Sequence, residues 1–310
     1  LDPELYRYSK AHGDAAFIAS VVAKLRQQNG YDFVTPDNVQ ITSGATHALS
    51  CAVRSVLTPG DKMLLLSPYW PLIRGIAVSA GVTPIEVPVG PAELSTASIG
   101  EQIESKLTPE ISALYMTTPS NPDGKVFSHE QLREIAEIAE RNDLWIISDE
   151  VYEEFVYDGA VHQSIATLPG MAGRTLTAFS FSKSYGLAGL RIGYLVGPED
   201  AIGAARKMVG HTIYSVPRAM QRAGLQALEQ GGAFLDEART KYQEARDLAM
   251  ELVIAPCPKP LGATYLFLDL RPWSEPGTGC AFSVLERIAE AGVLLAPGAA
   301  FGSAYSEWAR

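Results

Sequence analysis

Lys183, Asp149, Tyr152, Asn121 and Arg191 are the residues of this sequence best suited to chemistry. The lysine stands in Ser180-Phe181-Ser182-Lys183, with Arg191 eight residues beyond it. Asp149-Glu150-Val151-Tyr152 brings a carboxylate and a phenol together, and Pro119-Ser120-Asn121-Pro122-Asp123-Gly124 offers an amide. Upstream, Ser43-Gly44-Ala45-Thr46 opens a helical stretch. A lysine amine forms a Schiff base with a carbonyl carbon, and a carboxylate such as Asp149 stabilises a protonated ring nitrogen. Glycine lets backbone approach a ligand closely, and helix N–H groups favour an anion. Arg191 adds a fixed positive charge with bidentate geometry, helped by the hydroxyls of Ser180 and Ser182. Taken singly, each feature is ordinary: an Asp-Glu pair is commonly a solvated turn, a lone lysine is commonly surface, and Asn-Pro-Asp-Gly is a turn. Taken together they describe one ligand, with an anion, a basic ring nitrogen and an electrophilic carbon.

These groups need elements that bring them together. Val39–Thr42, Ser112–Thr117, Leu144–Ser148 and Thr175–Ser180 read as buried strands, and each is followed directly by one of the motifs. In open parallel sheets ligands gather at the carboxyl ends of strands, where loops converge. Between the strands run helical patterns over Thr46–Leu57, Tyr69–Ala80 and a helix capped by Ser128, with Gln131 three residues on and Leu132, Ile135, Ile138 and Ala139 at helical spacing. Lys62–Leu66, Thr83–Val87 and Ile192–Val196 are further strand-like runs. The alternation predicts an α/β fold, a mostly parallel central sheet flanked by helices. From Pro217 the pattern changes to long helices over Pro217–Glu229 and Ala233–Leu252, an aromatic strand Thr264–Leu270, a helix Phe282–Ala291 and a closing Val293-Leu294-Leu295. This reads as a smaller α+β domain, dividing the chain into residues 1–240 and 241–310.

Composition excludes several classes. The 310 residues are 47% hydrophobic and 19% charged, too apolar for a disordered chain. Lys+Arg 25 against Asp+Glu 35 gives a net charge of −10, which argues against a general binder of nucleic acid or anionic membrane. No stretch approaches the roughly 18 apolar residues of a membrane helix. Cys51, Cys257 and Cys280 are far apart and odd in number, so they read as buried structural thiols of a reducing cytoplasm. The five histidines show no metal spacing, and no metal site is expected.

The run Ser180–Gly193 follows the pattern S-x-S-K-x-x-G-x-x-G-x-R-x-G. With Asn121-Pro122, Asp149 and Tyr152 at their places, the chain from Tyr8 to Arg310 resembles the class I/II aminotransferases, fold-type I enzymes of pyridoxal 5′-phosphate (PLP). The resemblance implies that Lys183 binds the PLP aldehyde and shuttles a proton, and that Asp149 pairs with the pyridinium nitrogen. It implies that Tyr152 and Asn121 hydrogen-bond the ring 3′-oxygen and that Trp70 stacks on the ring. Gly44, Ala45, Thr46, Ser180, Ser182 and Arg191 would hold the phosphate. Tyr8 matches a tyrosine that reaches the phosphate of a partner subunit, which implies a homodimer with shared active sites. Arg310 matches the arginine that binds the substrate α-carboxylate, and Asn121 is a second substrate-binding candidate; a planar carboxylate is best held by a guanidinium fork. His211 stands where dicarboxylate-preferring members place a second arginine, so strong aspartate or glutamate preference by that route is not expected. Against the family pattern the chain is short at both ends, leaving out part of the small domain.

The implied reaction is transfer of an amino group between an L-amino acid and a 2-oxo acid by a ping-pong mechanism. A C–S/β-lyase or a specialised biosynthetic enzyme on the same fold is the alternative, because the pocket selects which bond breaks. Other classes lack their signatures. Thr177-Ala178-Phe179-Ser180 lacks the glycines of a P-loop, no G-x-G-x-x-G follows an early strand, and G-x-S-x-G is absent. An effector-binding domain of a transcription regulator would need a DNA-binding module, and an intact Lys183, Asp149, Tyr152 and Arg191 argues against it.

Overall fold

The computed structural model describes residues 2–91, 97–274 and 279–310. Seven strands form the main sheet: β1 (Val39–Thr42), β2 (Lys62–Ser67), β3 (Thr83–Pro88), β4 (Ile111–Thr117), β5 (Trp145–Asp149), β6 (Thr175–Ser180) and β7 (Gly193–Val196). Their order is β1-β7-β6-β5-β4-β2-β3. Only β7 runs against the others, pairing antiparallel with both β1 and β6. The helices are α1 (Ala15–Gln28), α2 (Gly44–Val56), α3 (Leu72–Ser79), α4 (Ile99–Glu104), α5 (His129–Arg141), α6 (Phe181–Ser184), α7 (Glu199–Thr212), α8 (Arg218–Gln230), α9 (Gly232–Leu252) and α10 (Phe282–Glu290).

The strands are short apolar runs because both faces of the sheet are covered. Side chains alternate across it. Met63, Leu65, Ala113, Tyr115 and Ile147 pack with Leu49 of α2, Ile73 of α3 and Ile202 of α7 in one buried layer. Leu64, Leu66, Leu114, Met116 and Ile146 pack in the other with Ile103 of α4 and Leu132 and Ile135 of α5. A third cluster joins Phe17 and Val21 of α1 and Leu225 of α8 to Ile41, Phe179 and Tyr194. The expected cap of α5 is present: the Gln131 N–H donates to the Ser128 hydroxyl at 3.2 Å, and the Ser128 N–H donates to Gln131 Oε1 at 3.1 Å.

The C-terminal part departs from expectation. Of the stretch Thr264–Leu270, only β8 (Leu268–Asp269) is strand, because its partner β9 (Trp308–Ala309) is equally short. The closing run Val293-Leu294-Leu295 lies in no helix or strand. Val293 and Leu294 are exposed, and the pairing of this region runs instead between Ala296 and Arg310, at 2.9 and 3.0 Å. The cysteines are not uniformly buried either: Cys51 is, Cys257 is half-buried and Cys280 is exposed. Among the described residues, no helix is long and apolar enough to cross a membrane.

Candidate active site

A cavity of about 350 Å³ opens at the carboxyl ends of the parallel strands. It is lined by Ala45 and Thr46 from α2, Asp149 at the end of β5, Asn121 and Tyr152 from the turns after β4 and β5, and Ser180, Ser182, Lys183 and Arg191 around β6 and α6. Trp70 joins from the turn before α3, and Arg310 follows β9. The strand order explains the assembly: β6, β5 and β4 are consecutive neighbours, so their terminal loops meet although their residues are scattered in sequence.

Asp149 is the last residue of β5, paired in register with Thr117 of β4 and Ala178 of β6. It is 4% exposed. Tyr115, two residues before Thr117 and therefore on the same face, donates its hydroxyl to Asp149 Oδ2 at 3.1 Å. The Val151 N–H approaches Oδ1 at 3.4 Å. Burial pushes the carboxyl up to about 6, and these donors only partly counter it. No cation among the described residues pairs with this carboxylate, a donor set that calls for a positively charged ligand atom. Next to it, Glu150 is wholly buried and accepts from Ser148 and Ser164 at 2.8 and 2.7 Å, with His162 Nε2 at 3.1 Å.

Across the cavity, Lys183 lies on α6, with its ammonium 5.9 Å from the centroid of the Tyr152 ring. Among the described residues it has no hydrogen-bond or ion-pair partner. Ser180 caps α6, its hydroxyl accepting from the Ser182 N–H at 3.1 Å. Gly44 opens the thirteen-residue α2 at φ +75°, a left-handed conformation that glycine adopts without penalty. A Cβ there would stand 2.7 Å from Arg191 Nη2. The guanidinium therefore lies directly against the first turn of α2, where free N–H groups and the helix dipole add to its charge. Arg191 is itself left-handed (φ 52°), and its Nη1 donates to the Ala188 carbonyl at 3.0 Å.

Tyr152 is 1% exposed, and its hydroxyl meets that of Tyr265 at 2.6 Å. Burial, and then the neighbouring Tyr265, raise its pKa, so it remains a protonated donor. Asn121 is buried beside Arg310, whose Nη1 donates to its Oδ1 at 2.9 Å. The guanidinium carbon of Arg310 lies 4.4 Å from the Tyr265 ring centroid and 5.0 Å from that of Phe301.

Tyr8 is the expected site residue that lies elsewhere. It is 80% exposed and packs edge-on against Tyr214 at 4.9 Å, in an outer groove shared with Lys10, Lys207, His211 and Arg218. Gly44 shapes the cavity through its backbone. Sequence reasoning missed Tyr265 and Tyr115. Tyr115 has a legible signal, its two-residue spacing from Thr117 on a strand whose neighbour ends in Asp149. Tyr265 has none, since it falls within a stretch that reads as strand.

The residues present fit PLP. A buried carboxylate without a cation suits a protonated pyridine nitrogen, an unpartnered lysine suits its aldehyde, and the Gly44–Arg191 corner suits its phosphate. Sheet topology and this donor set define the class, a fold-type I PLP-dependent enzyme. Residues 2–310 match the family model described as "Aminotransferase class I and II". Over 272 residues the chain is 35% identical to the bifunctional aspartate aminotransferase and glutamate/aspartate-prephenate aminotransferase of Petunia hybrida, covering 85% of this chain and 56% of that protein. It is also 35% identical to aromatic-amino-acid aminotransferase 2 of Thermococcus litoralis, covering 100% of this chain and 80% of the relative. The crystal structure of an aromatic aminotransferase from Pyrococcus horikoshii superposes with a TM-score of 0.93 at 30% identity, covering 100% of this chain and 83% of the other. The chain therefore belongs to the class I and II aminotransferase family, whose members depend on PLP. It spans little more than half the length of the Petunia relative.

Proposed function

We propose that this chain transfers an amino group between an L-amino acid and a 2-oxo acid, using PLP. The observation that carries the reading is that Lys183 and Asp149 face one cavity with the Arg310 guanidinium on its wall. PLP, when bound, supplies an electrophilic carbonyl carbon and an electron-withdrawing ring. The rest is done by the chain's own groups. Gly44, Ala45, Thr46, Ser180, Ser182 and Arg191 hold the phosphate, and Trp70 covers the ring. Asp149 would keep the ring nitrogen protonated, and that positive charge would in turn favour the ionised carboxylate. Tyr152 donates a hydrogen bond to the ring oxygen. Arg310, steadied by Asn121, grips the substrate α-carboxylate, and the Lys183 amine takes the proton from the substrate α-carbon.

A homodimer deepens this reading. Tyr8 and Tyr214 are 80% and 60% exposed beside a basic groove, which suits a tyrosine serving the phosphate of a second copy. His211, on the last turn of α7, lines the same groove and offers no guanidinium fork there. We further assign residues 1–240 to the cofactor-binding domain, residues 241–310 to the smaller one, and the protein to the cytoplasm, where a buried Cys51 stays reduced.

The test is spectroscopic. The protein mixed with PLP acquires the absorbance of lysine-bound cofactor, and Lys183→Ala does not. An L-amino acid added without 2-oxo acid converts the cofactor stoichiometrically to the pyridoxamine form. Continuous release of pyruvate and ammonia would sink the transfer reading in favour of elimination, and an unchanged spectrum in Lys183→Ala would sink the site.

A further inference from the structure

Tyr265 touches two groups that the cavity uses for different purposes. Its hydroxyl lies 2.6 Å from that of Tyr152, with the two rings edge to face and their centroids 5.6 Å apart. Its ring face carries the Arg310 guanidinium at 4.4 Å. Phe301 offers a second ring to the same guanidinium at 5.0 Å, and Asn121 takes one N–H. Among the described residues the remaining Arg310 N–H groups have no partner, so the fork stays available for a carboxylate.

We propose that Tyr265 is a positioning residue for both halves of the site, its ring setting the plane of the Arg310 fork and its hydroxyl aiming the Tyr152 proton. The inference rests on the roles proposed above for Arg310 and Tyr152. A guanidinium binds a carboxylate bidentately only when the two planes match, and a ring face under the guanidinium fixes that plane while adding cation–π attraction. The hydroxyl argument is one of proton count. Each phenol carries a single O–H. If the proton of Tyr152 is given to PLP, the short contact between the two hydroxyls requires Tyr265 to donate to the Tyr152 oxygen. That donation polarises Tyr152 and strengthens its own hydrogen bond. One side chain thus couples the carboxylate grip to the tuning of the cofactor.

Two substitutions on the PLP-loaded protein separate the functions. Tyr265→Phe keeps the ring and removes the hydroxyl, whereas Tyr265→Leu removes both. Pyruvate, a 2-oxo acid that cannot react with the PLP form, reports the carboxylate grip through its dissociation constant. The pH midpoint of the bound-PLP absorbance reports Tyr152. The charged groups around Tyr152 are Asp149 at the end of β5, Lys183 on α6 and Arg310 after β9, and none of them changes in Tyr265→Phe.

In Tyr265→Phe, pyruvate binding stays within about twofold of wild type, because the cation–π face remains. The absorbance midpoint moves upward by about half to one pH unit, the size of one lost hydrogen bond. In Tyr265→Leu the midpoint moves similarly and pyruvate binds about fivefold or more weakly. An unmoved midpoint in Tyr265→Phe overturns the hydroxyl's part. Unchanged pyruvate binding in Tyr265→Leu, where Arg310→Leu does weaken it, overturns the ring's part. Wild-type pyruvate binding in Arg310→Leu removes the Arg310 role itself, and this inference with it.

Discussion

On the sheet side of the cavity, Asp149 ends a strand paired on both edges, and Ser148, Ser164 and His162 pin the buried Glu150 that follows it. On the opposite side, Arg310 follows a two-residue strand and is steadied by two rings, one amide and its pairing with Ala296. The first arrangement is bound into a seven-stranded core, so its geometry moves only if the core moves. The second depends on a few local contacts and can change at small cost to the fold. A permanent cofactor belongs with the former, and a substrate that must enter and leave belongs with the latter. Substitutions on the sheet side are therefore expected to affect PLP retention and chemistry, and those on the Arg310 side to affect substrate affinity.

Asp149→Asn is the harshest test of the sheet side. Turnover falls by about 10² to 10³-fold, as for loss of one preorganised charge in a water-poor site, and PLP binds more weakly. The same substitution has an opposite effect on the PLP-free protein. The carboxyl of Asp149 is raised from 3.8 to about 6 on folding, so the unfolded chain holds fewer protons between those values and stability falls as pH rises through that window. Removing the charge stabilises the apoprotein by up to about 3 kcal/mol at pH 7 and by little at pH 4. Urea unfolding at the two pH values checks this; equal effects at both would show that burial does not strain the carboxylate.

Arg310→Leu follows in size, raising KM for the amino acid by about 100-fold while leaving PLP affinity unchanged. If steady-state kinetics place the loss mainly in PLP retention, the division between the two sides fails. Gly44→Ala sharpens it from the other direction. An added Cβ meets the Arg191 guanidinium in a left-handed backbone, so PLP binds about tenfold more weakly while KM barely moves. Equilibrium dialysis measures the former. The smallest effect is expected outside the cavity. Tyr8→Phe weakens PLP by about threefold, the loss of one hydrogen bond, and only at concentrations where sedimentation shows a dimer. An effect that persists in a monomer would move Tyr8 into its own subunit's site.

How much of this was legible depended on locality. The run Ser180–Gly193, the turn at Asn121 and the Asp149–Tyr152 turn each carry their chemistry within a few residues, and the apolar runs before them show strands. Those short-range patterns were sufficient for the parallel sheet and for bringing Lys183, Asp149 and Arg191 to one cavity, because a strand end points its loop in a known direction. The extent of the strand within Thr264–Leu270 was not legible, since a strand exists only where a partner backbone is free to pair. The approach of Tyr265 to Tyr152 spans 113 residues and that of Arg310 to Asn121 spans 189. By itself the sequence determined the mostly parallel sheet and most of the groups that line the cavity. Only the tertiary structure decided which of them touch, because contacts between distant segments depend on how the C-terminal part packs over the sheet, and that packing leaves no periodic mark on the chain.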